Sequence, residues 1–292
     1  MTFEPLTAHL PDGPLDVATV RGIDDRLRAL NPPPAGLAPP EVADNLRVHG
    51  DGDGCVLWIH GGGMFLGAAE YDDAFCSHLA FALGAAVVAV DYRLAPEHPH
   101  PAPLHDCRDA LAWCAAHYER VVVAGASAGG GLAAALCLLT RDENEPLAQD
   151  ENGPPIRAAH LYYPMLDDRR ETASSRENAD APMWNGRLAD VAWAAYLGGR
   201  PADGYAAPAR TADLRGLPPT YVDTGERDMF RDEDADFARR LGAAGVPTLF
   251  ELVPGAVHAF ELLDPEAGIS RAARKRRLEA LRHSLRADFR TW

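Results

Sequence analysis

The sequence contains a single lysine, Lys275, and this lysine is far from any glycine-rich turn. A phosphate-binding P-loop requires a lysine directly after its glycines, so a P-loop nucleotide site is excluded. None of the five cysteines is paired at the C-x-x-C spacing of zinc and redox sites, and no cofactor motif occurs. We therefore expect a protein that uses no metal and no cofactor, with its cysteines as buried or half-buried free thiols.

Basic residues are scarce as well, since 28 Lys and Arg stand against 43 Asp and Glu, which gives a net charge of −15. Such an acidic surface repels nucleic acids and anionic membranes. The longest apolar stretch, around residues 79–90, is too short to cross a bilayer, and residues 1–13 lack the pattern of a signal peptide. We expect a cytoplasmic protein without nucleic-acid or membrane partners, and we leave open whether it forms a homodimer.

Short apolar runs alternate with helical segments along most of the chain. Hydrophobic residues make up 47% of the sequence, which is enough for a full core. The runs predict strands at residues 55–59, 86–90, 120–124, 160–163, 220–224 and 248–253. Apolar strands separated by helices indicate an α/β fold with a mostly parallel central sheet and helices on both faces.

Two segments interrupt this alternation and define the predicted domain organisation. Residues 1–40 combine a helix with a Pro/Gly-rich stretch, and we expect them to form an N-terminal cap segment. Residues 168–213 are rich in charge, glycine and proline, and we expect a helical cap insertion there. The core is then formed by residues 41–167 and 214–292. A basic run at residues 274–277 is interpreted as the solvent-exposed face of the terminal helix.

Residues 125–129 form the pattern G-x-S-x-G between a predicted strand and an apolar helix. In this context the serine lies on a sharp turn, with its hydroxyl above the carboxyl edge of the sheet. The helix N-terminus adds positive potential where negative charge would develop. Ser127 is therefore a candidate nucleophile, although an ordinary glycine-rich turn would give the same pattern.

A second glycine-rich segment, residues 60–63 with the sequence HGGG, follows another predicted strand. Acyl transfer creates an oxyanion, which is stabilised by backbone N–H groups held in position beforehand. Glycines let the chain turn these N–H groups toward the oxygen, and HGGG loops do so in lipases and esterases. The N–H of Ala128, directly after Ser127, would be a further donor. His60 itself is expected to brace the loop.

A serine nucleophile needs a base, and the base needs an acid that orients it. In this type of fold the chain order is serine, acid, histidine. His258 follows the last predicted strand at the carboxyl edge of the sheet, whereas His160 opens an apolar strand and is expected to be structural. Asp228, just after the strand at residues 220–224, has the best position for the acid, with Glu226 as the alternative.

These motifs, in this order, resemble those of the hormone-sensitive-lipase-like family of α/β-hydrolases, in its bacterial carboxylesterase branch. The resemblance covers about residues 42–290, and its matching segments are residues 60–63, 91–99, 125–130, 228–233 and 258–260. It implies an α/β-hydrolase fold with seven or eight strands, a small helical cap, and a small-molecule ester as substrate.

The resemblance also assigns roles to individual residues. It implies a nucleophile, an acid and a base at Ser127, Asp228 and His258. It implies oxyanion donors at Gly62, Gly63 and Ala128. Residues 91–99 would form a structural turn, in which an interaction between Arg93 and Glu97 would fit.

The sequence departs from the family pattern in two places. Family members usually carry aspartate before the nucleophile, where this chain has Ala126, so the serine has a less polar neighbour. In addition, only 59 residues precede His60, and the stretch between Val48 and Val56 has no room for a further strand. We therefore predict seven strands rather than eight, beneath a reduced cap.

The leading functional hypothesis is hydrolysis of carboxylic esters with short to medium acyl chains through an acyl-enzyme intermediate. The same residues would serve for an amide, a lactone or a carbonate, and a ligand-binding protein that has lost catalysis is the remaining alternative. Six apolar residues are candidate walls of the substrate pocket, although a plain core role would explain each equally well: Met64, Phe65, Met165, Leu166, Met183 and Trp184.

Overall fold

The apolar runs of the sequence form the centre of one mixed sheet. The computed structural model describes residues 5–30, 39–144 and 156–291, and within these ranges the sheet has eight strands in the order β1-β2-β4-β3-β5-β6-β7-β8. The pairs β1/β2 and β2/β4 are antiparallel, and the other neighbours are parallel. The strands are β1 (Glu41–Ala43), β2 (Leu46–His49), β3 (Gly54–Ile59), β4 (Ala86–Val90), β5 (Arg120–Ala126), β6 (Ala158–Tyr162), β7 (Thr220–Gly225) and β8 (Thr248–Val253).

Helices cover both faces of this sheet because successive strand residues point to opposite sides. Leu57 and Ile59 of β3 pack into one apolar cluster with the helices at residues 102–117 and 128–144, whereas Val56 and Trp58 pack into another with the helices at residues 73–83 and 268–285. The expected α/β fold is thus confirmed. The helices are α1 (Val17–Leu30), α2 (Asp73–Leu83), α3 (Ala102–His117), α4 (Ala128–Asn144), α5 (Ala173–Glu177), α6 (Gly186–Leu197), α7 (Arg231–Ala243), α8 (Phe260–Leu263) and α9 (Gly268–Leu285).

The prediction of seven strands is wrong. The extra strand does not lie between Val48 and Val56 but before them, in a hairpin of three- and four-residue strands, β1 and β2. Two residues, Asp44 and Asn45, make the turn, and Asp44 adopts a φ of 53°. Asp and Asn tolerate this left-handed region, so a two-residue turn is enough to close the hairpin. The short N-terminal side therefore accommodates the eighth strand.

The segments predicted as a cap pack against each other. Arg187 of α6, in the predicted insertion, donates hydrogen bonds to the carbonyls of Pro11 and Gly13 in the N-terminal segment. Arg21 of α1 donates to the carbonyls of Phe65 and Ala95, at 3.0 and 2.6 Å. The N-terminal segment is therefore joined to the loop that follows the HGGG motif. Residues 31–38, the proline-rich part of this segment, lie outside the described residues.

Two expectations about charged residues are corrected. Arg93 does not contact Glu97: it forms a bidentate pair with Asp106, while Glu97 pairs with Arg21 at 2.7 Å. In the basic run of α9, Lys275 is exposed, but Arg277 is only 7% exposed. Helical spacing explains this, since Arg277 lies on the same face as the buried residues Ala273 and Ala280.

Within the described ranges, none of the helices is both long and apolar enough to cross a membrane. All five cysteines are buried as free thiols.

Candidate active site

Ser127 occupies a sharp turn between the end of β5 and the start of α4. Its backbone has a φ of 55°, which is uncommon for a residue other than glycine. A Cβ atom on Gly125 would lie 2.3 Å from the carbonyl oxygen of Gly129, and one on Gly129 would lie 2.0 Å from the carbonyl oxygen of Ile59. Glycine is therefore required on both sides of the serine, because strand and helix approach too closely for any side chain.

Ser127, His258 and Asp228 form a continuous hydrogen-bonded chain. The Nε2 atom of His258 lies 2.9 Å from the Ser127 Oγ, and its Nδ1 atom lies 2.8 Å from the Asp228 Oδ2. The other carboxylate oxygen of Asp228 accepts the backbone N–H of Phe230 at 3.0 Å. The exposed fractions of Ser127, His258 and Asp228 are 6%, 3% and 0%. This geometry allows His258 to remove the serine proton while Asp228 fixes the orientation of its ring.

The topology of the sheet explains why these residues meet. Ser127 follows β5, Asp228 follows β7 and His258 follows β8, and these strands are parallel within the sheet. The carboxyl ends of parallel strands lie along one edge, which is where ligands bind in such folds. Glu226, the alternative acid, is exposed and accepts the backbone N–H of Gly255 at 2.8 Å instead. The structure therefore favours Asp228.

The HGGG loop lies directly beside the serine. A Cβ atom on Gly61 would be 3.5 Å from the Ser127 Cβ. Gly62 and Gly63 have φ values of 112° and 60°, which turn the backbone sharply at this point. Within the described part of the chain, the N–H groups of Gly62, Gly63 and Ala128 donate to no protein acceptor. These three expected donors are thus available to an oxyanion.

His60 supports the loop rather than the chemistry. Its ring stacks on Tyr92 at a centroid distance of 4.1 Å, and its Nδ1 lies 2.7 Å from the Gly61 carbonyl oxygen. The Tyr92 hydroxyl donates to the His60 carbonyl at 2.9 Å. Burial lowers the pKa of His60, which favours the neutral ring. These contacts agree with the expected bracing role.

Glu233, at the start of α7, makes a second set of contacts that support the site. One of its carboxylate oxygens accepts the backbone N–H groups of Leu166 and Asp167, at 2.8 and 3.1 Å. The neighbouring N–H of Met165 donates to the Ser127 carbonyl at 3.0 Å. Burial raises the pKa of Glu233 well above its usual value. Glu233 thereby fixes the loop at residues 165–167, which contacts the backbone of Ser127.

The six predicted pocket residues separate into two groups. Trp184 lies at the site: a Cβ on Gly63 would be 2.4 Å from its Cη2 atom, and its ring centroid is 6.4 Å from that of His258. Met183 beside it is half-buried. The remaining four lie in the main apolar cluster, as Trp184 does, but they are at most 1% exposed: Met64, Phe65, Met165 and Leu166.

Sequence reasoning missed two aromatic neighbours of His258. Tyr163 and Phe230 meet the imidazole edge-on, at centroid distances of 4.8 and 5.1 Å. Both directly follow features that the sequence does reveal, since Tyr163 comes after β6 and Phe230 lies two residues after Asp228. Their position at the carboxyl edge of the sheet is the sequence signal from which contact with His258 could be predicted.

No group of three or more His, Cys, Asp or Glu side chains in the described ranges is placed to hold a metal ion.

Comparisons with known proteins agree with this architecture. The family described as the α/β-hydrolase fold matches residues 56–262. The carboxylesterase NlhH of Mycobacterium tuberculosis is 37% identical over 264 residues, which span 85% of this chain and 77% of the relative. A bacterial heroin esterase superposes with a TM-score of 0.81 at 35% identity, covering 98% of this chain and 99% of the other. An esterase from Pyrobaculum calidifontis superposes with a TM-score of 0.80 at 31% identity, covering 95% and 94%.

We predict that Gly129→Ala will destabilise the protein and disable the site. The added Cβ would collide with the Ile59 carbonyl, so β3 and α4 must separate, which costs about 1–3 kcal/mol of unfolding free energy. Urea unfolding measures the stability, and the rate of Ser127 labelling by a fluorophosphonate probe measures the site. Gly242→Ala in α7 is the control, because nothing lies within 4 Å of its Cβ position. Equal stability and labelling in both variants would contradict the prediction.

Proposed function

Because the chain belongs to the hormone-sensitive-lipase-like family of α/β-hydrolases, we propose that it is a carboxylesterase that acts through an acyl-enzyme intermediate. The observation that carries this proposal is the unbroken chain from the Ser127 Oγ through His258 to Asp228, with contacts of 2.9 and 2.8 Å. The names of similar proteins, a carboxylesterase and two esterases among them, support ester hydrolysis.

The acylation step uses the geometry directly. His258 accepts the hydroxyl proton as the Ser127 Oγ attacks the ester carbonyl. The resulting oxyanion receives hydrogen bonds from the N–H groups of Gly62, Gly63 and Ala128, and removing one such donor typically raises the barrier by about 2.7–4 kcal/mol. His258 then gives its proton to the departing alkoxide, so an alcohol leaves and the acyl group stays on Ser127.

Deacylation repeats the sequence with water. His258 takes a proton from the water as its oxygen attacks the acyl carbonyl, and the same N–H donors stabilise the second oxyanion. The intermediate collapses by breaking its bond to the Ser127 Oγ, which recovers its proton from His258. The carboxylic acid leaves, and in each half of the reaction Asp228 stabilises the imidazolium that forms.

A preference for short to medium acyl chains is supported by the position of Trp184. The indole lies against Gly63 and near His258, so it occupies space immediately beside the reacting carbonyl. Trp184 precedes α6 in the segment 168–213, which we propose forms the cap together with residues 1–40. Residues 41–167 and 214–292 would then form the catalytic core.

We also propose that two copies associate through β8. In the described part of the chain β8 pairs only with β7 and is an edge of the sheet. Leu249, Phe250 and Leu252 on it are 36%, 36% and 45% exposed. An edge strand with exposed apolar side chains favours pairing with another chain, and a two-fold axis would bury the same residues on both copies.

The cytoplasm remains our proposed location. Disulfides form in oxidising compartments, whereas thiols persist in the reducing cytoplasm. The five buried free thiols support this assignment.

We predict that Ser127→Ala will lower kcat for p-nitrophenyl acetate and butyrate by about 10⁴–10⁶-fold, because no other group can form the acyl-enzyme. Spectrophotometric assays measure the rate. Ser77→Ala, on the distant helix α2, is the control and should retain wild-type activity. The same panel includes an amide, a lactone and a carbonate. A wild-type protein that hydrolyses none of the esters would refute the proposal, and failure of a fluorophosphonate to label Ser127 would indicate a ligand-binding protein instead.

We predict that Trp184→Ala will extend the acyl-chain range. Removing the indole opens space beside Gly63, so the ratio of kcat/KM for p-nitrophenyl octanoate to that for the butyrate should rise by about 10-fold or more. Trp113→Ala on α3 is the matched control, because Trp113 stacks on His117 away from the site. An unchanged ratio in Trp184→Ala would show that the indole does not limit chain length.

We predict that Leu252→Arg will convert a homodimer into a monomer, because a charged side chain on the edge strand cannot be buried against its own copy. Light scattering coupled to size-exclusion chromatography measures the mass. Phe81→Arg is the control, since Phe81 is 91% exposed but lies on α2. A wild-type protein that is monomeric at micromolar concentration would contradict the proposed assembly.

A further inference from the structure

Arg277 is a buried cation on the terminal helix α9, beside the active site but outside the catalytic triad. Its guanidinium holds Asp223 in a bidentate pair, with Nε and Nη2 at 2.6 and 2.9 Å from the two carboxylate oxygens. Its Nη1 donates to Glu261 Oε1 at 2.5 Å. The exposed fractions of the Arg277, Asp223 and Glu261 side chains are 8%, 1% and 11%. One arginine thus joins the end of β7 to α8 inside the protein.

Aromatic rings enclose this ion cluster. The guanidinium carbon lies 4.4, 5.1 and 5.8 Å from the ring centroids of Tyr162, Tyr163 and Phe260. Rings at these distances attract a cation through their negative faces. These rings therefore help to hold the buried guanidinium in place.

The cluster reaches His258 through Tyr163. The Tyr163 hydroxyl donates to Glu261 Oε1 at 2.5 Å, and its backbone N–H donates to the Asp223 carbonyl at 2.6 Å. Both partners of Tyr163 are therefore residues that Arg277 holds. The Tyr163 ring meets the His258 imidazole edge-on at 4.8 Å. A displacement of Arg277 would consequently shift Tyr163, whose ring supports the His258 imidazole.

The same cluster fixes the chain that carries the histidine. Glu261 lies three residues after His258, and Ala259 between them has a φ of 48°. This conformation is strained for alanine and persists only where the surrounding structure enforces it. The ion pair between Arg277 and Glu261 anchors the far side of the strained residue.

A role in stability alone is a poor explanation for such a cluster. Burial raises the pKa of Asp223, whereas the pKa of Glu261 lies below its usual value because the charge of Arg277 and the hydrogen bonds from Tyr163 and Arg277 together outweigh burial. Removing two carboxylates and a guanidinium from water costs several kcal/mol per ion, and apolar residues of similar volume are often as stabilising or more so. What the charged cluster adds is directional contact with several elements at once.

We propose that Arg277 is a positioning residue for the reaction: it holds the His258 imidazole in line with Ser127, acting through Glu261 and Tyr163. This inference rests on the proposed esterase function. The bidentate pair with Asp223 fixes the Arg277 guanidinium, and the guanidinium in turn fixes Glu261. Glu261 then holds the Tyr163 hydroxyl and the backbone that follows His258.

The test is a double-mutant cycle in steady-state hydrolysis of p-nitrophenyl butyrate, with Arg277→Met, Tyr163→Phe and the double variant. Each single substitution should lower kcat by about 10-fold with KM within twofold, because a misplaced base slows the chemical step without affecting substrate binding. The double variant should be no slower than the slower single one, since both changes break one line of contacts. Loss of fold would not produce this pattern, because it reduces the active fraction without coupling the two residues.

Lys275→Met is the matched control, since Lys275 is exposed on the same helix and pairs there with Glu279. It should keep the wild-type kcat. If Arg277→Met does not fold, Tyr163→Phe and Glu261→Gln form the cycle, because both retain the shape of the side chain. Wild-type kcat in Tyr163→Phe, fully multiplicative effects, or an equal loss in Lys275→Met would each overturn the positioning role.

The outcomes also separate this inference from the proposed function. A wild-type protein that neither hydrolyses the ester nor reacts with a fluorophosphonate refutes the esterase proposal. An active wild-type protein with unaltered Arg277 and Tyr163 variants refutes the positioning role alone.

Discussion

The site depends first on the close contact between β3, β5 and the start of α4. Gly129 lies so near the Ile59 carbonyl that no side chain fits, and β3 continues directly from Ile59 into the HGGG loop. The same contact therefore brings Ser127, the proposed nucleophile after β5, beside the N–H groups of the loop after β3. Because the proposed oxyanion donors are backbone groups held by this contact, they would need no rearrangement as negative charge develops, which is the condition for effective oxyanion stabilisation.

The sequence was sufficient for the features that depend on local pattern and chain order. The meeting of Ser127, His258 and Asp228 is predictable, because glycines around the serine indicate a sharp strand-to-helix turn and the other two residues each follow an apolar strand at the same sheet edge. The core strands were predictable for a similar reason, since β3 and β4 are buried at every residue and read as continuous apolar runs. In these cases the residues of one short segment are enough to predict its structure.

Features that depend on the choice of a distant partner were not predictable. Arg93 and Glu97 lie four residues apart, yet they pair with Asp106 and Arg21, which come from α3 and α1. The basic run around Arg277 predicts a solvent-exposed helix face, because the partners that bury this residue, Asp223 and Glu261, lie on other elements. The β1/β2 hairpin is not predictable for a different reason. Its strands are too short to show an alternating pattern, and the Asp44-Asn45 turn is the only sequence signal for it.

The charge cluster of Arg277, Asp223 and Glu261 offers a physical reason why position 126 has alanine where the family usually has aspartate. Ala126 packs against the apolar cluster that contains Tyr162 and Tyr163, the two rings that cover Arg277. An aspartate at this position would add a third carboxylate on the side of the sheet where one guanidinium already faces those of Asp223 and Glu261. Position 126 is half-buried, and a carboxylate removed from water without a cationic partner is costly and tends to take up a proton. Alanine adds no charge there, and the turn at Ser127 is imposed by Gly125 and Gly129 rather than by residue 126.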